Sequence, residues 1–336
     1  MVRGIFLRLA FSLVWLSAAA LSVPAHAADG TADSAYNQAR MHQPYAEGGE
    51  QTCLKCHNTA PVNLILQTPM AVKGDLRSPF GQEGCESCHG PSGEHAKLKF
   101  IDGKLVLPPV LFVKPKIDGV PASPVEARNK ACLTCHQGDQ LINWQGSQMQ
   151  AAGVGCSDCH TAHAAKDPVL VRTSQPEVCF RCHAQQRAES FEYSHHPIRE
   201  GKVVCSDCHN PMGSAGPHLL KEFTVNETCY NCHADKRGPM LWEHQPVREN
   251  CLNCHTPHGS NQPRLLVEQL NFLCSSCHSA ESNNSGGAFG GNASVPFHSM
   301  QGSVFANSAL ANQRQCVNCH SQVHGSNSPS GAYFFR

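Results

Sequence analysis

Ten copies of Cys-x-x-Cys-His, no cysteine outside them and very little chain between them predict the fold of a multihaem c-type cytochrome. Little regular structure is expected: short α-helices and loops wrapped around a chain of ten haems. The motif is the attachment signature for haem c. Its two thiols add across the vinyl groups of one haem, and the adjacent histidine becomes the proximal iron ligand. A disulfide scaffold has no reason to place His after every second Cys. Structural zinc takes four thiolates, or thiolates mixed with imidazoles, and does not need one pentapeptide repeated. With residues 1–27 removed as a signal peptide, about 31 residues remain per motif. That is too few for an ordinary packed core, so porphyrin faces become the main buried apolar surface.

The N-terminus comes first. Arg3 and Arg8 form a positive region, Leu9 to Leu21 is a short apolar run, and Ala25-His26-Ala27 is a small-x-small cleavage site. A signal peptide over residues 1–27 is expected, with export of residues 28–336 as one elongated domain. The first cysteine after the cleavage site, Cys53, belongs to a motif, so no lipid anchor is expected there. Lys plus Arg and Asp plus Glu both total 26, and losing Arg3 and Arg8 leaves a slightly acidic chain. Nothing in that balance suggests a nucleic-acid partner. The longest apolar run beyond the signal, Leu105 to Val113, is too short for a spanning helix and holds Pro108 and Pro109.

The motifs follow in order. Odd-numbered ones are Cys53, Cys56, His57; Cys132, Cys135, His136; Cys179, Cys182, His183; Cys229, Cys232, His233; and Cys274, Cys277, His278. Even-numbered ones are Cys85, Cys88, His89; Cys156, Cys159, His160; Cys205, Cys208, His209; Cys251, Cys254, His255; and Cys316, Cys319, His320. Between the second and third lies one strand-like stretch, Lys97 to Val113. Asp102-Gly103 reads as its hairpin turn, and Pro108 and Pro109 limit it to an edge. From Cys156, Cys205 and Cys251 start repeats of 49 and 46 residues, each with a second motif 23 or 24 residues on. The chain divides into five two-haem units, 53–131, 132–178, 179–228, 229–273 and 274–336.

Spacing nominates the distal ligands. After even motifs a ligand-type residue comes quickly: His95, His163, Met212, His258 and His324. After odd motifs it comes later: Met70, Met149, His196, His244 and His298. Met70, Met149 and His196 each lie thirteen residues past a motif histidine. Iron in an electron carrier accepts either residue type. A competing count makes every haem bis-histidine, with His42, His195 and His218 replacing the three methionines. His195 and His196 are neighbours, however, and adjacent side chains do not easily reach two irons.

Two stretches carry a family likeness: Asn226 to Gly259, NETCYNCHADKRGPMLWEHQPVRENCLNCHTPHG, and Cys316 to Gly331, CVNCHSQVHGSNSPSG. The run His163 to Leu170, HAAKDPVL, fits too. They resemble the decahaem porin–cytochrome family that includes MtrA, DmsE, PioA and MtoA. The resemblance implies a periplasm-facing electron carrier inserted in an outer-membrane β-barrel porin, its C-terminal haems outermost. Periplasmic redox proteins, and an extracellular donor or surface cytochrome, are the implied partners. In metal-reducing members the positions of Met70, Met149 and Met212 carry His, so this chain is more similar to the iron-oxidising PioA and MtoA branch. Methionine raises a haem potential relative to bis-histidine, and all three lie in the N-terminal part, the end implied to face inward. The expected function is therefore an inward conduit from extracellular Fe(II). The alternatives are an outward conduit for metal or DMSO reduction and a free periplasmic shuttle. A multihaem enzyme is not expected, because ten distal candidates leave no open iron.

Overall fold

The computed structural model describes residues 34–117, 119–278, 316–318, 320–329, 331 and 334. The signal segment, Cys319 and His298 lie outside the described residues. Regular structure is sparse, as the sequence predicts. The longest described helix, Val125–Leu133, has 9 residues, and most have 4 to 6.

The motifs themselves form the recurring element. In all ten, the backbone N–H of the motif histidine donates to the carbonyl of the first cysteine at 2.8–3.1 Å. This single helical turn brings both sulfurs and the imidazole to one side, as attachment to a flat cofactor requires. Odd motifs end a helix that precedes them, as in Glu50–Leu54, Val125–Leu133, Gln175–Phe180, Val225–Tyr230 and Leu270–Ser275. Even motifs begin their own turn, as in Cys156–Cys159 and Cys205–Cys208.

Buried amides dock the two kinds of turn. Cys156 N–H donates to Asn129 Oδ1 at 2.8 Å, Ser206 N–H to Gln175 Oε1 at 2.9 Å and Cys251 N–H to Asn226 Oδ1 at 2.8 Å. Each acceptor belongs to an odd-motif helix, and each donor is an otherwise unsatisfied N–H at the start of the next even turn. Asn129, Gln175 and Asn226 are all buried. Polar side chains thus hold positions that an ordinary domain would fill with apolar ones.

The exception is the N-terminal region. Tyr36, Leu107 and Val120 form a small apolar cluster, with Ile101, Leu111 and Ile117 packed against it. The helix Ala35–Met41 is stitched to the segment after the second motif. Tyr36 Oη donates to Leu105 O, and Arg40 donates to the carbonyls of Pro108 and Pro109 at 3.0 and 2.9 Å. The predicted hairpin forms with only two residues per strand, Phe100–Ile101 against Lys104–Leu105. Asp102 and Gly103 are both left-handed, at φ 50° and 74°, as a tight hairpin turn needs. Val106 is fully buried while its N–H still donates to Lys99 O, and past it the chain leaves the ladder, the proline carbonyls turning to Arg40.

Candidate haem-binding sites

The two-motif docking places cysteines in register. The first-cysteine thiols of motifs 1 and 2, Cys53 and Cys85, lie close enough to perturb each other electrostatically. So do Cys132 and Cys156, Cys179 and Cys205, Cys229 and Cys251, and Cys274 and Cys316. Second cysteines approach across the intervening boundary: Cys88 toward Cys135, Cys159 toward Cys182, Cys208 toward Cys232 and Cys254 toward Cys277. The two kinds of neighbour alternate along the chain, as expected of motifs set in a row. In the loaded protein these sulfurs are thioethers. All the described motif cysteines and histidines line one continuous cavity of about 5730 Å³. A site for one small ligand measures about 300–1,000 Å³, so this cavity suits a row of cofactors.

The imidazoles pair along that row. Six motif histidines face a second histidine with ring centroids 6.1–6.3 Å apart: His57 with His95, His89 with His163, His209 with His258, His233 with His196, His255 with His324 and His278 with His244. A metal–imidazole bond of about 2 Å puts each ring centre about 3 Å from the metal, so two axial imidazoles sit about 6 Å apart. The six pairs have the spacing of bis-histidine iron sites.

Hydrogen bonds select the ligating atom. Nδ1 of His89, His95, His163, His196, His209, His244 and His255 faces a backbone carbonyl at 2.6–3.1 Å. A carbonyl only accepts, so Nδ1 carries the proton and Nε2 offers the lone pair. Burial pushes His89, His95, His209, His244, His258 and His324 below the usual imidazole range, which favours that neutral form. His195 lines the cavity but pairs with no second ring among the described residues: its Nδ1 donates to Glu192 O and its Nε2 approaches Glu200. His42 is exposed and outside the cavity lining. His218 gives its backbone carbonyl to His209 Nδ1. Its side chain lines the cavity, as does Met212.

Numbering each site by its motif, the histidine that faces the motif histidine of sites 2, 6 and 8 follows the motif two later. That of sites 7 and 9 follows the motif two earlier. His57 of site 1 faces His95, from beyond motif 2. The loops that make these crossings also bond to each other. His163 Nδ1–H donates to Val62 O, Ser194 and Ser260 exchange backbone hydrogen bonds, and Trp242 and Ser326 do the same. The loop after motif 6 meets the segment after motif 3 likewise, with Asn210 Nδ2 donating to Gln140 O. Close approach there requires glycine: a Cβ on Gly213 or Gly259 would strike the backbone of Asn143 or Glu189. Among the described residues, His136, His160 and His183 face no second imidazole. Met70, Met149 and Met212 all line the same cavity. The cysteines, imidazoles and thioethers present fit a chain of haems.

Comparison with known proteins agrees. The doubled CXXCH motif family matches residues 149–188, 195–238 and 244–283, and the cytochrome c554 and c-prime family matches residues 20–90. The multihaem cytochrome MtrA of Shewanella baltica (strain OS185) is 40% identical over 302 residues, covering 88% of this chain and 85% of that protein. The cytochrome c-type protein NrfB of Haemophilus influenzae is 28% identical over 114 residues, 32% of this chain and 47% of that one.

Proposed function

The chain belongs to the multihaem cytochrome family of MtrA, and from that premise we propose that it binds ten haems and conducts electrons along them through an outer-membrane porin. Haem supplies one-electron Fe(III)/Fe(II) chemistry when bound. The chain's work is to fix each cofactor through two cysteines, to present neutral imidazole to its iron, and to keep successive sites close. The observation that carries the reading is the set of six imidazole pairs, with ring centroids 6.1–6.3 Å apart, along one cavity.

The crossing rule assigns the remaining ligands. A site-3 ligand follows motif 1, which is Met70. A site-5 ligand follows motif 3, which is Met149. A site-4 ligand follows motif 6, which is Met212, three residues past its motif histidine as His163 and His258 are, with His218 the alternative. His298 remains for site 10. The three His/Met sites are therefore consecutive, and two bis-histidine sites, 1 and 2, lie before them. A ligand's place in the sequence is not its haem's place in the row. Thioether ligation favours Fe(II) and raises potential. If the N-terminal sites face the periplasm, as in the family resemblance, sites 3 to 5 draw electrons inward, the direction an extracellular Fe(II) oxidiser needs. A closed barrel of antiparallel strands is the partner that could carry such a row across lipid, because it leaves no unpaired edge.

Near-infrared magnetic circular dichroism of the haem-loaded protein tests the assignment. A His/Met minority should appear beside a bis-histidine majority. Met70→His, Met149→His and Met212→His should each remove part of that minority and lower one potential. A spectrum with bis-histidine haems alone would overturn both the methionine ligands and the inward direction, leaving the outward conduit. Co-purification of a β-barrel from membranes tests the porin, and a chain recovered only in the soluble fraction would favour the free shuttle.

A further inference from the structure

We propose that Asp167 is a positioning residue that lowers the potential of site 4 by holding a negative charge on the proton of His160. The inference rests on the reading of motif 4 as a haem site. Three even motifs are followed by closely matched loops, Thr161–Val171, Asn210–Leu220 and Thr256–Leu266, each with a proline at the same place: Pro168, Pro217 and Pro263. In the second and third loops, Nδ1–H of the motif histidine donates to a neutral backbone carbonyl. His209 uses His218 O, and His255 uses Arg264 O, both at 2.9 Å. To present those carbonyls the backbone turns left-handed at His218 and Leu219, and again at Arg264 and Leu265.

The first loop does this differently. Asp167, just before Pro168, stands where the other loops have Gly216 and Gln262. Its Oδ2 accepts the proton of His160 Nδ1 at 2.7 Å. Its Oδ1 accepts from the backbone N–H of Thr161 at 3.1 Å and of Val169 at 3.4 Å. Both oxygens are committed, so the carboxylate is fixed rather than swinging on the surface, and only 16% of its side chain is exposed. With the carboxylate supplying the acceptor, Val169 keeps a right-handed backbone, which suits a β-branched residue.

A carboxylate partner differs from a carbonyl in charge. It binds the imidazole proton more strongly and gives the ring anionic character, making it a better donor to Fe(III) than to Fe(II). Site 4 therefore receives opposite influences, Met212 raising its potential and Asp167 lowering it. It should lie below sites 3 and 5, which lack such a carboxylate among the described residues. Among the described residues, other carboxylate contacts to ligand candidates are looser: Glu189 lies 3.4 Å from Nδ1 of His258, assigned to site 6, and Glu200 lies 3.8 Å from Nε2 of His195.

The test is spectroelectrochemistry of the full haem-loaded chain carrying Asp167→Asn, which keeps an acceptor and a turn-capping side chain but removes the charge. One of the ten one-electron components should rise in potential while nine stay, and Asp167→Glu should restore most of the shift. The component that moves should be the one moved downward by Met212→His. If Asp167→Asn loads poorly, Asp167→Ser retains the turn cap and should give the same rise. Ten haems by intact mass with every potential unchanged would overturn the proposal and reduce Asp167 to a turn cap. A mass of fewer than ten haems in the unaltered chain would instead overturn the haem reading on which it rests.

Discussion

The N-terminal region, residues 34–131, and the repeats after it use the same motif but are held together by different means. In the first, Tyr36, Leu107 and Val120 pack on one another, and buried Arg40 donates to two proline carbonyls and Ser123. In the repeats, the buried apolar side chains Trp144, Phe180, Ile198, Val204 and Leu266 are spread singly along the chain. The contacts between successive turns run through Asn129, Gln175 and Asn226. A polypeptide needs an apolar core only where nothing else removes apolar surface from water. Along the repeats the porphyrins take that role.

The largest test of this contrast is to withhold haem. A chain exported without haem attachment should lose almost all amide protection across residues 132–278. Hydrogen exchange should find the remaining protection around Tyr36, Leu107 and Val120. Equal loss in both regions would show that the apolar cluster does not stand without cofactor.

Substitution gives a smaller effect. Arg40→Ala strands two buried carbonyls and should cost about 2–3 kcal/mol in the loaded protein. Asn226→Ala strands the Cys251 N–H and the carbonyls of Val247 and Arg248. It should cost a similar amount or slightly less, because thioethers already hold both neighbouring turns. Thermal melting followed in the haem absorption, with each variant beside the unaltered protein, compares the two. A much larger loss from Asn226→Ala would mean that the amides, rather than the haems, carry the repeats.

The smallest effect belongs to the surface. Arg172 makes a two-pronged ion pair with Asp207 at 2.9 and 2.8 Å, on side chains 52% and 36% exposed. Arg172→Ala should cost less than either buried substitution. The guanidinium holds the Asp207 carboxyl below the usual carboxylate range. A depressed carboxyl contributes stability above its unfolded value and loses it as pH falls through the folded one. The difference between variant and parent should therefore be full at neutral pH and close in acid, which paired melts across that range measure.

Much of this was legible in the residues because it is local. Each pentapeptide names its own cysteines and proximal histidine, and the Asp102-Gly103 turn announces the hairpin. Spacing also yielded the set of distal candidates. It did not reveal which imidazole faces which: His95 lies just past His89 yet faces His57. Facing is decided by loops that cross between motifs two apart, and no local pattern records such a crossing. The choice between His195 and His196 has the same origin, since only the three-dimensional path sends one ring to His233 and the other to Glu192. The cluster around Tyr36 was invisible because its members are few and distant in sequence. Asp167 could have been found by aligning the three loops on Pro168, Pro217 and Pro263, where it stands out as the charged residue.

The crossed loops bear on how the molecule survives damage. A protease that cut once between His196 and the sixth motif would not release two fragments. His196, upstream of the cut, faces His233 downstream of it, and Ser194 is bonded to Ser260 across the same gap. Iron between the two rings would pin the pieces together like a rivet through overlapping plates. A nicked chain would run as fragments on a denaturing gel while still moving as one body, with its row of sites intact, in native solution.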